Sequence, residues 1–242
     1  MPDTLAAAAD CHVLELRQYT LHPGRRDDLV ALFDREFVEP QEALGMAVLG
    51  QFRDLDAPDR FVWLRGFTDM AARRQGLAAF YGGPVWQRHR TAANATMLDS
   101  DDVRLLRPAW PGAELRPLPW RPSRAATGAA TGLLVALVVP LREPASDGVL
   151  ALARDRGSNG VVKGGHPQWI AWYATEPAPN DFPALPVREG PVLAAFALFD
   201  GLARLDAADA WARETAQRLR DHAAGTPEVR RLLPTARSRT RA

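Results

Sequence analysis

The order strand, helix, strand, strand, helix, strand can be read twice along this chain, once on each side of a Pro- and Ala-rich segment. No other feature constrains the fold as much. Each such unit covers one sheet face with its helices and leaves the other open, and two open faces can close on each other. The segment "PAWPGAELRPLPWRPSRAATGAAT" lacks apolar periodicity and reads as a linker. It divides the 242 residues into a domain over 12–108, a linker over 109–131 and a second, degenerate domain over 132–236.

In the first unit, residues 12–21 alternate as a strand and 25–38 form a helix with Leu29, Leu32, Phe33 and Phe37 on one side. "MAVLGQFRDL" and "RFVWLRGF" are strands joined by the turn Asp56–Asp59, a hairpin. Thr68 or Asp69 can cap the next helix, which pauses at Gly82-Gly83 and restarts with Pro84 in its first turn. Val85, Trp86, His89, Ala93 and Met97 then share a face, and "DVRLLRP" closes the βαββαβ, or ferredoxin-like, order. The second unit runs "TGLLVALVVPL", "DGVLALARDR", "PQWIAWYATE", "PVLAAFALFD", "LDAADAWARETAQRLRDHA" and "EVRRLLPTA". Its closing strand resembles "DVRLLRPA", and Trp86 and Trp211 fall at similar places in the second helices. The predicted architecture is α+β, two ferredoxin-like halves packed as one pseudo-dimeric α+β barrel.

Strand parity groups the side chains. With Leu14 and Leu16 assigned to the helix side, Glu15, Arg17 and Tyr19 fall on the open face, joined by Gln51, Arg53, Trp63 and Arg65 from the hairpin. The strands of the second half are apolar on both faces. The barrel interior is then expected to have one apolar wall and one charged wall. Buried arginines need partners, and Glu15 can serve one of them well. Waters, carbonyls or an anionic ligand would serve the rest.

Composition excludes several classes. The net charge of +1 gives no field to draw nucleic acid or a membrane. Lys163 is the only lysine, so cations are forked, permanently charged arginines. Cys11 is the only cysteine, which rules out an internal disulfide or a cysteine-rich zinc site. "MPDTLAAAAD" has no signal-peptide pattern, and "GLLVALVVPL" and "PVLAAFALF" are too short to span a bilayer, so the cytoplasm of a prokaryote-like cell is expected. There is no GxSxG, P-loop or dinucleotide fingerprint, and no cofactor is called for.

The stretches "LELRQYTLHPGRRDDLVALF", "EPQEALGM", "GQFRDLDAPDRFVWLRGFTDM", "AFYGGPVWQRHRTAANATM" and "DSDDVRLLRP" closely resemble the NIPSNAP family of the dimeric α+β barrel superfamily, over roughly residues 12–110. The second half resembles the superfamily only in pattern. The resemblance implies sheets paired across a dimer or tandem interface around a central cavity, and it does not imply one chemistry. The wider superfamily includes cofactor-free monooxygenases, lactone isomerases, cyclases, dehydratases and haem enzymes.

Arg17, Arg53 and Arg65, with Glu15, either bind a carboxylate, enolate or phenolate or form a structural network. Tyr19 and His89 are the candidate proton-moving groups, and Tyr81 is a core aromatic or a second hydroxyl donor. Haem ligation by His89 has no second cue to support it. Trp63, Trp86 and Phe80 suit an aromatic wall. His166 reads as a loop histidine, "RDLDAPDR" as a hairpin turn, and His12, His22 and His222 lack metal-ligand spacing. "GSNGVVKGG" has glycines at the wrong spacing for a phosphate loop, and the tail "RSRTRA" reads as a solvated, frayed end.

The functional expectation is a cavity for a small, anionic, partly apolar organic molecule. It would belong to a cofactor-independent isomerase, decarboxylase, cyclase or monooxygenase, acting as a pseudo-dimeric monomer or a homodimer. The alternative is a non-catalytic binding or interaction module whose lumen is filled by Trp169, Trp172, Tyr173 and Phe196.

Overall fold

The computed structural model describes residues 10–155 and 165–242. The strands are β1 (Val13–Leu21), β2 (Ala47–Asp54), β3 (Arg60–Phe67), β4 (Met97–Pro108), β5 (Leu133–Pro140), β6 (Trp169–Thr175), β7 (Val192–Phe199) and β8 (Glu228–Pro234). They close into a barrel in the order β1-β3-β2-β8-β5-β7-β6-β4. Two seams are short: Phe52–Asp54 pairs with Leu232–Pro234, and Leu106–Pro108 pairs with Tyr173–Thr175. Between them lie two four-stranded antiparallel sheets, β4-β1-β3-β2 and β8-β5-β7-β6, each in ferredoxin-like order. The expected pair of βαββαβ halves in one α+β barrel is therefore what the chain forms.

The helices follow their local signals. α1 (Arg26–Leu32) runs through a π-helical turn (Phe33–Phe37) into α2 (Val38–Glu42), so the predicted single helix continues further and widens midway. Asp69, not Thr68, caps α3 (Met70–Gly82), its side chain accepting from the Ala72 amide at 2.7 Å. Extended Gly83 separates α3 from α4 (Pro84–Asn94), whose first turn begins with Pro84. In the second half, Ser146 caps α5 (Asp147–Arg154), and α6 (Leu205–Leu219) buries Trp211.

The sheet faces are reversed from expectation. Leu14 and Leu16 point into the barrel, where Phe52, Val62 and Leu64 meet Leu134, Tyr173 and Phe196 of the other half. Tyr19 and Trp63 lie on the opposite face with Phe33 and Phe37 of the helical layer. Glu15 and Arg65 share that face and bond to Arg73 and Gln41 of the helices. The parity grouping holds, and its direction inverts for a physical reason. An eight-stranded lumen has room only for side chains and is filled from every strand, so it takes the uncharged set. The charged set goes where helices carry polar partners. Tyr173 and Phe196 fill the lumen, Trp169 packs against it, and Trp172 lies on the other face with Trp211. The expected charged wall inside the barrel does not exist.

The tail also departs from expectation. Thr235, Arg237, Ser238, Arg239 and Thr240 are buried. Thr240 donates its hydroxyl to the Leu49 carbonyl at 2.9 Å, and Arg237 pairs with Glu39. Leu118 in the irregular segment after β4 exchanges bonds with Arg239, at 2.8 Å in each direction. Backbone carbonyls and the helix carboxylate of Glu39 satisfy what the sequence shows only as a run of charge. Among the described residues, no helix is long and apolar enough to cross a membrane. "GSNGVVKGG" lies outside the described residues except for Gly165, and His166 is exposed.

Candidate functional site

The antiparallel ladder of β1 and β3 sets Glu15 opposite Arg65, Arg17 opposite Trp63 and Tyr19 opposite Phe61. These side chains rise toward the first half's helices and make a charged floor. Glu15 is fully buried at its centre. Its Oε2 accepts from Arg65 Nη2 at 2.6 Å and from Arg17 Nη1 at 3.1 Å, and its Oε1 accepts from Arg73 Nε at 2.8 Å. Arg65 Nη1 also donates to Gln41 Oε1 at 2.8 Å, and its guanidinium lies 4.8 Å from the Trp63 ring centre. Burial pushes the Glu15 carboxyl up, but Arg65, Arg17 and Arg73 more than reverse this and hold it at about 2. Glu15 is ionised at every ordinary pH.

Arg17 has thinner support. Its Nη1 shares a carboxylate oxygen already held by Arg65, and its Nε donates to the Tyr19 hydroxyl oxygen at 3.0 Å. Its guanidinium sits 5.5 Å from the Trp63 ring centre and 5.4 Å from that of Tyr19. Burial opposes its charge, yet the oxygens of Tyr19 and Glu15 keep its pKa above the ordinary value. Burial raises the Tyr19 phenol, with Arg17 opposing, so Tyr19 stays neutral. Because Arg17 uses the hydroxyl oxygen as an acceptor, the Tyr19 proton is free to point elsewhere.

Above this floor lies a narrow cleft walled by Tyr19, Phe33, Phe37, Trp63, Tyr81 and Trp86, among others. Its free volume is only about 30 Å³, room for one or two waters. The rings lock edge to face: Phe33 on Trp63 at 4.8 Å and Tyr81 on Trp86 at 4.9 Å. The Trp63 indole nitrogen is buried in this wall with no acceptor among the described residues. The π-helical turn supplies both Phe33 and Phe37. Part of the cover comes from the other half. In the β6–β7 loop, Phe182 stacks on Tyr81 at 6.3 Å, and Leu185 and Val187 pack on the same cluster. Asp181 and Asn180 of that loop accept from Arg73 Nη1 at 2.8 and 3.0 Å.

The structure thus brings together Glu15, Arg17, Tyr19, Trp63, Arg65 and Trp86, as grouped from the sequence. It leaves two others outside. Arg53 turns to the surface, where its Nε meets Asp27 at 2.8 Å. His89 faces Glu36 at 3.5 Å across the edge of Phe37 and does not line the cleft. Sequence reasoning missed Arg73, Gln41 and the Asn180–Asp181 pair. No local pattern marks them, because Arg73 reaches Glu15 and Gln41 reaches Arg65 from the helices, and the Asn180–Asp181 pair reaches Arg73 from a loop more than 100 residues away.

The ladder registers also decide whether the second half has a site of its own. Val13 of β1 pairs with the last residue of β3, and Leu133 of β5 pairs with the last residue of β7. On that frame Glu15, Arg17 and Tyr19 correspond to Val135, Leu137 and Val139, while Trp63 and Arg65 correspond to Ala195 and Ala197. All five belong to an apolar cluster beneath α5 and α6. The equivalent position in the second half is packed shut.

A barrel of two ferredoxin-like sheets, each carrying its helices outside, defines the dimeric α+β barrel class, here closed within a single chain. Residues 14–110, the first of the two halves, match the NIPSNAP family model. Solved structures repeat the whole two-sheet arrangement. A Fusobacterium nucleatum protein provisionally named a monooxygenase superposes with a TM-score of 0.60 at 8% identity, over 95% of each chain. An anthrone oxidase-like protein superposes with a TM-score of 0.55 at 14% identity, over 96% of this chain and 94% of its own. At those identities the likeness establishes the fold. No curated protein matches the sequence.

Proposed function

We propose that the cleft under the first half's helices binds a small aromatic molecule through an anionic oxygen such as a phenolate or enolate. The observation that supports this best is the buried Trp63 N–H, which has no acceptor among the described residues and belongs to a ring centred 5.5 Å from the Arg17 guanidinium. A buried, unpaired donor costs about 1–3 kcal/mol. An oxygen seated between it and Arg17 would relieve that cost and give Arg17 a counter-charge it need not share with Arg65. The aromatic walls suit a flat ring. In this arrangement Arg17 stabilises negative charge on the ligand oxygen, and neutral Tyr19 holds a proton it can donate. Tyr19 is an acid here, not a base, because burial disfavours its anion. One structural neighbour is named anthrone oxidase-like. An anthrone is a ring ketone that loses a proton to give an aromatic oxyanion, a ligand of this class.

The test is thermal melting of the wild type and Arg17→Gln against phenol, 1-naphthol and anthrone, with oxygen uptake followed for anthrone. Ligands that raise the wild-type midpoint and leave the variant's unchanged support the site. The narrow cleft favours a second reading, in which the arginines are purely structural. On that reading no ligand shifts the wild type, and Arg17→Gln is destabilised with or without ligand.

A further inference from the structure

Arg73 is fully buried, yet its guanidinium is only partly used. Nε donates to Glu15, Nη1 is shared between Asp181 and Asn180, and Nη2 has no partner among the described residues. A guanidinium fork is made to grip both oxygens of one carboxylate. Asp181 reaches it with a single oxygen, from a loop that belongs to the other half of the barrel. That loop also backs the cleft from outside, where Phe182 stacks on the wall residue Tyr81. None of residues 176–191 is fully buried, whereas the sheet and helices opposite contribute Trp63, Phe33 and Phe37, all nearly inaccessible. The cleft cannot admit a ring without something moving, and this loop is the element with least to lose.

We propose that Arg73 is a second anion position of this site, held in the closed chain by Asp181, and that a ligand carboxylate exchanges with Asp181 to grip Nη1 and Nη2 together. The inference rests on the preceding reading of the cleft and narrows its ligand class. Arg17 and Arg73 flank opposite oxygens of the same Glu15 carboxylate. A compact aromatic acid that also carries a ring oxygen can therefore meet both cations. Asp181 acts as an internal competitor, and its displacement frees the Phe182 segment that stacks on Tyr81.

The experiment is calorimetric titration of the full chain with benzoate, phenol and 4-hydroxybenzoate, using wild type, Asp181→Ala and Asp181→Asn. Removing the competitor should tighten benzoate and 4-hydroxybenzoate at least fivefold and leave phenol within twofold. Asp181→Asn preserves the side-chain shape and should give the same ordering, which covers the case of a poorly folded alanine variant. Unchanged or weaker benzoate binding in both variants overturns the proposal, as does benzoate that binds neither wild type nor variant. The two readings fail separately. Phenol binding that Arg17→Gln abolishes, with carboxylates indifferent to Asp181, keeps the Arg17 site and rejects Arg73. Benzoate tightening without any phenol binding keeps Arg73 and rejects Arg17.

Discussion

Replacing Glu15 by Gln tests the electrostatic core of the argument. The substitution keeps the shape of the side chain and removes the one charge that Arg17, Arg65 and Arg73 share. The carboxyl stands near 2 in the fold against an ordinary 4.5, and at about 1.4 kcal/mol per pH unit this corresponds to roughly 3 kcal/mol of stability. Mutational experience with broken buried ion pairs gives a similar figure, about 3–5 kcal/mol. For a chain of this size, that predicts a midpoint lower by roughly 6–20 °C at pH 7. The sign with pH follows from the depressed pKa. The contribution is complete above about 4.5 and is lost as pH falls toward 2, so wild type and variant should converge on acidification. Urea unfolding of both proteins from pH 7 down to pH 3 measures the gap directly. Adding Arg17→Met to Glu15→Gln should recover about 1–2 kcal/mol, since it removes the cation left with least support. A loss below about 1 kcal/mol at pH 7, or a gap that stays constant below pH 4.5, would refute the picture of Glu15 as the charge that organises the floor.

Two further changes probe other parts of the molecule. Burial pushes the Asp34 carboxyl up to about 6, with Arg237 and the Gln51 amide opposing, so its ionisation costs stability as pH rises from near 4 through 6. Asp34→Asn should therefore raise stability at pH 7 by on the order of 1 kcal/mol, seen as a higher melting midpoint, and the gain should vanish below pH 4. Leu137→Arg places a cation in the second half at the position matching Arg17, among Val135, Ala195 and Ala197. With no carboxylate there, it should cost about 3–5 kcal/mol in urea unfolding, and a near-neutral result would show the frame relating the halves to be wrong.

The strands, the β2–β3 hairpin and the doubled order are legible because they rest on local alternation and turn chemistry. The grouping of Glu15, Arg17, Tyr19, Trp63 and Arg65 is legible for the same reason, since pairing with a period of two forces them to one face. The direction of that face is not. Leu14 and Leu16 on one side and a mixture of Tyr19, Trp63 and charges on the other suit either a helix layer or a lumen by pattern alone. The deciding fact is remote: Arg73 and Gln41 on the helices meet Glu15 and Arg65, while Tyr173 and Phe196 already fill the barrel. The buried tail was hidden in the same way. Its arginines are satisfied by Glu39 and by the Asp34, Pro122 and Leu118 carbonyls, partners that only the folded chain brings near.

The asymmetry between the halves has a physical consequence for the site. A lumen filled from both sheets makes the second half a packing partner for every strand of the first, so its apolar strands are needed even though its own helix-side position is closed. Once that position carries only Val135, Leu137 and Ala195, nothing there requires a covering loop. The β6–β7 loop turns instead toward the first half, over the seam where β4 pairs with β6, and sets Asp181 against Arg73. The seam is only three residue pairs wide, which brings this loop within reach of α3. Closure of the barrel and the loop's cover over Tyr81 and Arg73 therefore depend on the same joint. Weakening the β4–β6 pairing should loosen the Phe182 cover before it loosens the charged floor, because Glu15, Arg65 and Arg17 are tied within β1 and β3 and not across the seam.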